Sequence, residues 1–362
     1  MIYCINRIKK EKVAGQRTAG KKAPDDIARI VESKLNGEII PFFEPDGKGN
    51  RYIKSLKSYF INIGNWNRVF KKIKPGDWVI IQHPYEGAKQ GYKKIEKCNK
   101  LGAITVVLIH DISLERKDID FVESNVLRNM TMRSETEVLK LCKYIICHNP
   151  KMKQYLIEHG IKKDKIFCLG IFDYIFTGTE IPDRKFKKEI CVAGNLSKSK
   201  SGYLYKYMKD PINCVLKLYG PNYDAQSDEC IQYMGTLPPD ELPGKLEGSF
   251  GLVWDGNDTK GCTGVAGEYI RINNPHKCSL YLASNMPVII WKQAALADYI
   301  VENGLGIAVE KLEDIKFELA DLSEEKYNIM MENVKRVGCK IRNGSNFINT
   351  FSKIREDMLE AK

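Results

Sequence analysis

Short apolar segments rich in β-branched residues alternate with helical patterns along almost the whole chain. This alternation predicts parallel strands, with the intervening helices covering both faces of each sheet. The predicted strands of the first half are Ile2–Ile8, Glu38–Phe43, Asp77–Gln82, Ile104–Ile109, Tyr144–Cys147 and Lys165–Leu169. Those of the second half are Ile190–Ala193, Val215–Tyr219, Ile231–Met234, Phe250–Trp254, Val288–Trp291 and Gly306–Val309. Helices are predicted between them, among others over Pro24–Leu35, Glu137–Leu141 and Lys151–Glu158.

A polar stretch over 177–189, TGTEIPDRKFKKE, interrupts the alternation with glycine, proline and a charged run, as interdomain linkers do. We therefore predict an α/β protein with two Rossmann-like domains, over 1–176 and 190–342, facing each other across a cleft. The tail predicts two helices broken near 342–345, and the last of them, over 343–362, is expected to pack back on the first domain. Ligands of open α/β sheets bind at the carboxyl ends of the strands, so functional residues are expected in the loops that follow strands.

Fifty-seven lysines and arginines against 46 aspartates and glutamates give a formal charge of +11. This excess favours anionic partners, such as nucleotides, phosphorylated lipids or an anionic membrane. The sequence has no dense arginine stripe and no RNA-binding signature, which argues against a nucleic acid as the partner. The longest apolar run, Ile104–Ile109, is too short for a membrane helix, and no apolar signal core is present. With eleven cysteines expected to be reduced, we predict a cytoplasmic protein that can meet the inner face of the cell membrane.

The motif GQRTAGKK over 15–22 has the glycine spacing of a P-loop but ends in Lys22, where a hydroxyl would hold magnesium. Lys21 and Lys22 nevertheless precede a predicted helix, where ammonium and N–H groups attract an anion. A solvated loop explains the same residues equally well. No G-x-G-x-x-G motif, zinc-type Cys/His spacing or G-x-S-x-G elbow is present, so neither a cofactor nor a metal is expected.

Polar residues follow two predicted strands of the first domain. His110 and Asp111 come directly after Ile104–Ile109, and His83 follows Asp77–Gln82. The carboxylate of Asp111 can take a proton from a hydroxyl as a general base, and His110 can bind an acceptor or a phosphate. The alternative is that these residues have structural roles only: Asp111 would cap the turn after the strand, and His110 and His83 would be ordinary residues at strand ends. The residues alone leave both interpretations open.

The segment EYIRINNPHKCSLYLASNMPVIIW over 268–291 contains the strongest local pattern. Asn274 is a favourable N-cap and Pro275 suits the first helical position, which places His276 and Lys277 in the first turn. Cations are unfavourable at this end of a helix unless an anion, such as a diphosphate, binds there; a solvated lysine is the alternative. Loops over 193–204, 219–222 and 253–256 are expected at the same sheet edge, an arrangement that suits a nucleotide diphosphate.

Together these segments resemble bacterial GT-B glycosyltransferases, specifically β-1,6-galactofuranosyltransferases of polysaccharide biosynthesis and the glucosyltransferases that modify adhesins. The resemblance covers most of the chain, and its longest and most specific part is 268–309. The other segments are TAGKKAPDDI (18–27), GDWVIIQHP (76–84), VVLIHDI (106–112), AGNLSKS (193–199) and FGLVWDG (250–256).

The resemblance implies transfer of a hexosyl group, galactofuranose first and glucose next, from a UDP-sugar without a catalytic metal. The acceptor would be a hydroxyl of a glycan, of a polyprenyl-diphosphate-linked lipid or of a glycoprotein, held by the first domain, while the second domain holds the donor. Relatives of this type include homo-oligomers. A non-catalytic partner that binds a nucleotide or glycan for another glycosyltransferase is the alternative.

The resemblance and the loop positions together assign Lys277 and Asp111 to catalysis. The expected donor-binding residues are Gly194, Asn195, Lys198, Tyr219, Gly220, Tyr269, Asn274, His276, Lys277 and Ser279. The residues expected on the acceptor or sugar side are Thr18, Ala19, Gly20, Lys22, His83 and His110. Lys198 and Lys200 stand where some relatives have arginine, which leaves open which cation touches a phosphate.

Overall fold

The computed structural model describes residues 1–8, 19–44, 50–84, 88–112, 135–178, 180–207 and 213–360. These residues form two compact units, each built on a six-stranded parallel sheet. Among the described residues, unit 1 contains 1–8, 23–170 and 347–360, and unit 2 contains 19–22 and 171–346. The strands start and end within one residue of their predicted positions, which confirms the α/β prediction.

The sheet of unit 1 has the strand order β2-β1-β3-β4-β5-β6. Its strands are β1 (Ile2–Ile8), β2 (Glu38–Phe43), β3 (Trp78–His83), β4 (Ile104–Ile109), β5 (Tyr144–Cys147) and β6 (Ile166–Cys168). Every residue of β3, β4 and β5 is buried, as expected for parallel strands covered on both faces. This burial explains why these strands consist largely of consecutive apolar residues in the sequence.

The sheet of unit 2 has the order β12-β11-β10-β7-β8-β9. Its strands are β7 (Glu189–Ala193), β8 (Val215–Tyr219), β9 (Ile231–Tyr233), β10 (Phe250–Val253), β11 (Val288–Trp291) and β12 (Gly306–Val309). Numbered from the first strand of the unit, this is the Rossmann order 3-2-1-4-5-6 read from the opposite edge. The residues before β7, from 180 to 188, contain no helix or strand, and they include most of the predicted linker.

Most helices lie between the strands, as the alternation predicts, and the last three follow β12. They are α1 (Lys22–Lys34), α2 (Arg51–Lys72), α3 (Ala88–Lys100), α4 (135–141), α5 (Pro150–Glu158), α6 (Lys198–Tyr207), α7 (Leu242–Lys245), α8 (Gly264–Tyr269), α9 (His276–Ala283), α10 (Ala297–Glu302), α11 (Ile315–Ala320), α12 (Glu324–Arg342) and α13 (Ser345–Glu360). Helix α1 begins two residues before the predicted start at Pro24, because proline is tolerated throughout the first turn. Among these helices, none combines the length and hydropathy of a membrane span.

Helix α13 belongs to unit 1, although it follows the whole of unit 2 in the chain. The Phe351 ring packs edge-on against Trp78 of β3, with 5.2 Å between ring centroids. Trp78 also stacks on Tyr144 of β5, which in turn meets Phe167 of β6 edge-on. The return of the last helix to the first unit, part of the fold prediction, is confirmed by these contacts.

The strand orders locate a topological switch point in each unit, where successive connections leave in opposite directions. In unit 2 it lies between the carboxyl ends of β7 and β10, and in unit 1 between those of β1 and β3. Crevices at such points are the usual ligand sites of open α/β sheets. The loop that follows β1 lies outside the described residues. For the unit 2 switch point, the structure describes both flanking loops, which follow β7 and β10.

Candidate functional site

The loops after β7 and β8 touch each other at the carboxyl edge of the unit 2 sheet. Gly194 and Gly220 adopt φ angles of 143° and 145°, a region that side chains rarely allow. A Cβ atom on Gly220 would lie 1.8 Å from the backbone oxygen of Gly194. The Leu196 N–H donates to the carbonyl of Pro221 at 3.0 Å, which ties the loops further. The two glycines therefore allow the backbones to meet directly beside the switch point.

The loop after β10 holds the ammonium group of Lys277. Its Nζ donates to the carbonyl oxygen of Trp254 at 2.7 Å and to Oδ1 of Asp255 at 2.8 Å. The lysine side chain is 14% exposed. An ammonium group has three N–H donors, and these two bonds leave one for an anion. Lys277 is thus a fixed cation at the carboxyl end of β10, one of the two strands that form the switch point.

Helix α9 places Lys277 in its first turn, together with the backbone N–H groups of a helix start. The structure corrects the predicted cap, because Pro275 is the N-cap residue and Asn274 precedes it. Pro275 has φ −60° and ψ 123°, so the chain is still extended there and becomes helical only at His276. Asn274 is buried.

His276, expected to bind the donor, packs within a cluster of unit 2. Its ring stacks on Tyr174 at 5.0 Å, and its Nε2 lies 3.3 Å from the carbonyl of Asp173, to which an N–H would donate. Burial, together with the nearby positive charge of Lys22, lowers the pKa of His276 to about 4. The imidazole is therefore neutral at pH 7 and contributes no full positive charge there.

Lys22, expected on the sugar side, belongs to the same cluster of unit 2. Its ammonium group is almost completely buried and donates to the carbonyl of Ile175 at 2.6 Å and to Asp240 at 2.7 Å. It also lies 4.7 Å from the centre of the Tyr174 ring. Ala19 and Gly20 belong to a short 3₁₀ helix just before it, and Gly20 is exposed, whereas Thr18 lies outside the described residues.

Asn195 and Lys198 stand on the surface of the unit 2 edge. The Asn195 side-chain oxygen accepts hydrogen bonds from the Ser197 N–H at 3.1 Å and from the Asn222 amide at 3.0 Å. Lys198 pairs with Asp224 at 2.9 Å, and this carboxylate raises the pKa of the lysine. The loops after β7 and β8 are thereby linked by side chains as well as by backbone.

Three further expected donor residues are buried. Tyr219 accepts a hydrogen bond from the Glu247 N–H on its hydroxyl at 3.0 Å, and burial raises its pKa. Glu247 lies just before β10, near the amino edge of the sheet, so the hydroxyl faces away from the loop edge. Tyr269 and Ser279 are also buried, within α8 and α9. The structure therefore does not bring these side chains to the surface beside Lys277.

The expected acceptor residues of unit 1 lie at the carboxyl ends of β3 and β4. His83 Nε2 lies 2.6 Å from Oε1 of Glu135, and both side chains are buried. His110 Nε2 lies 2.8 Å from the side-chain oxygen of Gln82, and Asp111 is partly buried at the end of β4. Parallel neighbouring strands place these three residues at one edge of the unit 1 sheet.

Asp255 and Glu135 are the polar site residues that the sequence analysis did not single out. Asp255 directly follows the end region of β10, the same signal that identified Asp111, so it could have been found. Glu135 lies 52 positions from His83, and no local pattern joins them. In the part of the chain that the structure describes, no group of three or more His, Cys, Asp or Glu side chains is placed to hold a metal.

Two family models match the chain. The N-terminal domain of glucosyltransferase 3-like proteins matches residues 3–171, and the C-terminal domain of the same proteins matches 190–354. The β-1,6-galactofuranosyltransferase WbbI of Escherichia coli K12 is 35% identical over 353 residues, covering 95% of this chain and 96% of that protein. Glucosyltransferase 3 of Streptococcus gordonii is 25% identical over 271 residues, covering 74% of this chain and 76% of that protein.

Solved structures share the fold at low sequence identity. The apo form of the lipopolysaccharide outer core galactosyltransferase WaaB has a TM-score of 0.57 at 14% identity, covering 98% of this chain and all of that one. An α,α-trehalose 6-phosphate synthase of Burkholderia multivorans has a TM-score of 0.56 at 11% identity, covering 100% of this chain and 98% of that one. These similarities confirm the predicted GT-B fold.

Proposed function

Since this chain belongs to the glucosyltransferase 3-like family and is a glycosyltransferase, we propose that it transfers a hexosyl group from a UDP-sugar to a hydroxyl without a catalytic metal. The 35% identity to a protein named as a galactofuranosyltransferase favours galactofuranose as the sugar, with glucose next. The acceptor hydroxyl belongs to a glycan, carried by a lipid or by a protein, in the synthesis of a cell-surface polysaccharide or glycoprotein.

The position of Lys277 carries the proposal. Its ammonium group is anchored by Trp254 and Asp255 at the carboxyl end of β10, and it stands in the first turn of α9. A fixed ammonium, a helix N-terminus and the Gly194 backbone beside the switch point are the groups that bind a diphosphate. Asn195 lies on the neighbouring loop and Lys198 begins α6, and both extend this edge toward the rest of the donor.

Transfer breaks the bond between the anomeric carbon and the diphosphate oxygen and forms a bond to the acceptor oxygen. Negative charge grows on the leaving diphosphate while the sugar becomes oxocarbenium-like. Lys277 is preorganised for this charge, because its two protein hydrogen bonds hold the ammonium in place before the reaction starts. Asp111 of unit 1 accepts the proton that the acceptor hydroxyl loses.

Lys277→Met tests this role, because methionine keeps the apolar stem and removes the charge. We expect turnover to fall by about 100-fold or more and the dissociation constant of UDP to rise, as for loss of one electrostatic contact to the transition state. Lys217→Met is the matched control: this lysine is 12% exposed and pairs with Glu189 and Glu247, but it lies on β8 away from the switch point. The control should keep turnover.

A loss of less than about threefold in Lys277→Met, with Lys217→Met unchanged, would remove Lys277 from the mechanism. Donor class is measured by thermal stabilisation with UDP, ADP, GDP and TDP, with and without EDTA. Ligand at 100 times its dissociation constant adds about 2.7 kcal/mol of stability. A shift selective for UDP that survives EDTA supports the proposal. Transfer activity that EDTA abolishes would refute metal independence.

A further inference from the structure

The first half of helix α2, in unit 1, exposes a stripe of large apolar side chains. Tyr52 is 86% exposed, Leu56 60% and Phe60 61%, and Ile53 and Tyr59 are also exposed. At about 100° per residue, these five positions fall within an arc of about 120° on the helix. Exposed apolar residues scattered singly are ordinary, whereas a continuous stripe marks an interaction surface. We refer to these five residues as the α2 stripe.

The α2 stripe adjoins the face that anchors the helix to unit 1. Trp66 and Val69 are buried on that neighbouring face, and the Trp66 ring meets Phe42 of β2 edge-on at 5.3 Å. The Asn65 side chain exchanges two hydrogen bonds with the backbone of Phe43, both of 3.0 Å. The helix therefore has one wide apolar surface, of which one side is buried against unit 1 and the other is exposed along the first half of the helix.

Positive charge lies beside the α2 stripe. Helix α2 contains four lysines and two arginines and no acidic residue. Phe70 continues the line of the stripe toward the end of the helix, where the ammonium groups of Lys94 and Lys97 lie 5.6 and 4.3 Å from its ring centre. An apolar stripe of aromatic and aliphatic residues bordered by cations is typical of helices that lie in the interface of an anionic bilayer.

From this combination we propose that the α2 stripe docks unit 1 on the surface of an anionic lipid bilayer. The apolar side chains enter the boundary between headgroups and acyl chains, while Lys57 beside the stripe and Lys54 farther round the helix attract the anionic headgroups. A second copy of this chain fits less well, since a symmetric contact would bring two acid-free cationic helices together.

The test compares vesicles of phosphatidylcholine with vesicles of phosphatidylcholine and phosphatidylglycerol in equal amounts, using the full chain in a sedimentation assay. We expect binding to the anionic vesicles that weakens with salt and little binding to the neutral ones. The double variant Leu56→Ser/Phe60→Ser should bind the anionic vesicles about tenfold or more weakly, because two large apolar groups no longer enter the bilayer. Lys54→Gln/Lys57→Gln should weaken binding by a similar factor.

The matched control is Phe317→Ser/Ile329→Ser, which removes two apolar side chains of unit 2 that are 58% and 56% exposed. It should bind as the wild type does. The proposal is overturned if the wild type binds neither vesicle, or if the stripe and control variants bind equally. It is also overturned if the stripe variant changes only the oligomeric state in ultracentrifugation, which would make the stripe an interface between copies. The assay needs no donor, so its result is independent of the transferase proposal.

Discussion

Replacing Gly220 with alanine should damage the unit 2 edge more than the same change at Gly194. Both residues have nearly the same φ angle, 145° for Gly220 and 143° for Gly194. They differ in surroundings, because a Cβ on Gly220 would meet the Gly194 oxygen at 1.8 Å, whereas a Cβ on Gly194 would meet nothing within 4 Å. The pair therefore separates backbone strain from steric overlap.

Strain in this φ region costs about 1–3 kcal/mol for a residue other than glycine, and both variants should lose that amount. Gly220→Ala must also move a backbone oxygen, which cannot turn aside as a flexible side chain can. Overpacking of this kind adds about 1–3 kcal/mol. Replacing glycine with alanine also lowers the conformational entropy of the unfolded chain, which favours folding. This effect is the same in both variants and cancels when their stabilities are compared. We expect Gly220→Ala to be less stable than Gly194→Ala by about 1–3 kcal/mol.

Hydrogen exchange read by mass spectrometry measures this difference locally, on peptides that contain the ends of β7 and β8. The Gly194 amide, which donates to the Tyr219 carbonyl, and the Gly220 amide, which donates to the Gly235 carbonyl, should exchange faster in Gly220→Ala. The UDP dissociation constant should rise in parallel. Equal protection in the two variants would show that the loops separate without cost and would refute the steric argument.

Three further outcomes are expected. Asp240→Asn should destabilise the protein by about 1–2 kcal/mol in urea unfolding, because it leaves the buried ammonium of Lys22 without its carboxylate. The double variant Lys22→Met/Asp240→Asn, which also removes the ammonium, should lose less stability than Asp240→Asn alone. A double variant less stable than Asp240→Asn would contradict this reasoning. Burial lowers the pKa of His148 to about 4 from 6.5, so the unfolded state binds more protons between these values. His148 should therefore contribute a fall in stability of about 1.4 kcal/mol per pH unit from pH 6.5 toward pH 4, and His276 should contribute a similar fall. His148→Gln should reduce the slope measured in urea titrations by the contribution of His148. Asp111→Asn should lower turnover by about 100-fold or more at saturating donor. Near-normal turnover in this variant would show that Asp111 is not the general base.

The fold could be predicted because its central strands are buried on both faces. Parallel strands covered by helices must be apolar at consecutive positions, so β4 and β10 stand out in the sequence without any knowledge of their partners. The break between α12 and α13 was predictable for a related reason, since Gly344 there adopts a φ of 77°. Local patterns of this kind depend only on neighbouring residues.

The site was predictable only in part, because its pairs join distant segments. The start of α9 was recognised from its Asn-Pro-His-Lys sequence, but the Asp255 partner of Lys277 lies 22 positions away. Lys22 has the sequence neighbours of a phosphate-binding loop, yet its ammonium pairs with Asp240, 218 positions later. A lysine in a polar loop looks the same in the sequence whether it is solvated or buried against a carboxylate.

The return of α13 to unit 1 has a consequence for the nascent chain. Synthesis delivers the strands of unit 1 first, but Phe351, which covers Trp78, leaves the ribosome only after all of unit 2 has been made. Until then, the aromatic face formed by Trp78, Tyr144 and Phe167 lacks its covering helix. Unit 1 therefore completes its folding last, although most of it is translated first, and during elongation this uncovered face is the surface that a holdase chaperone would recognise.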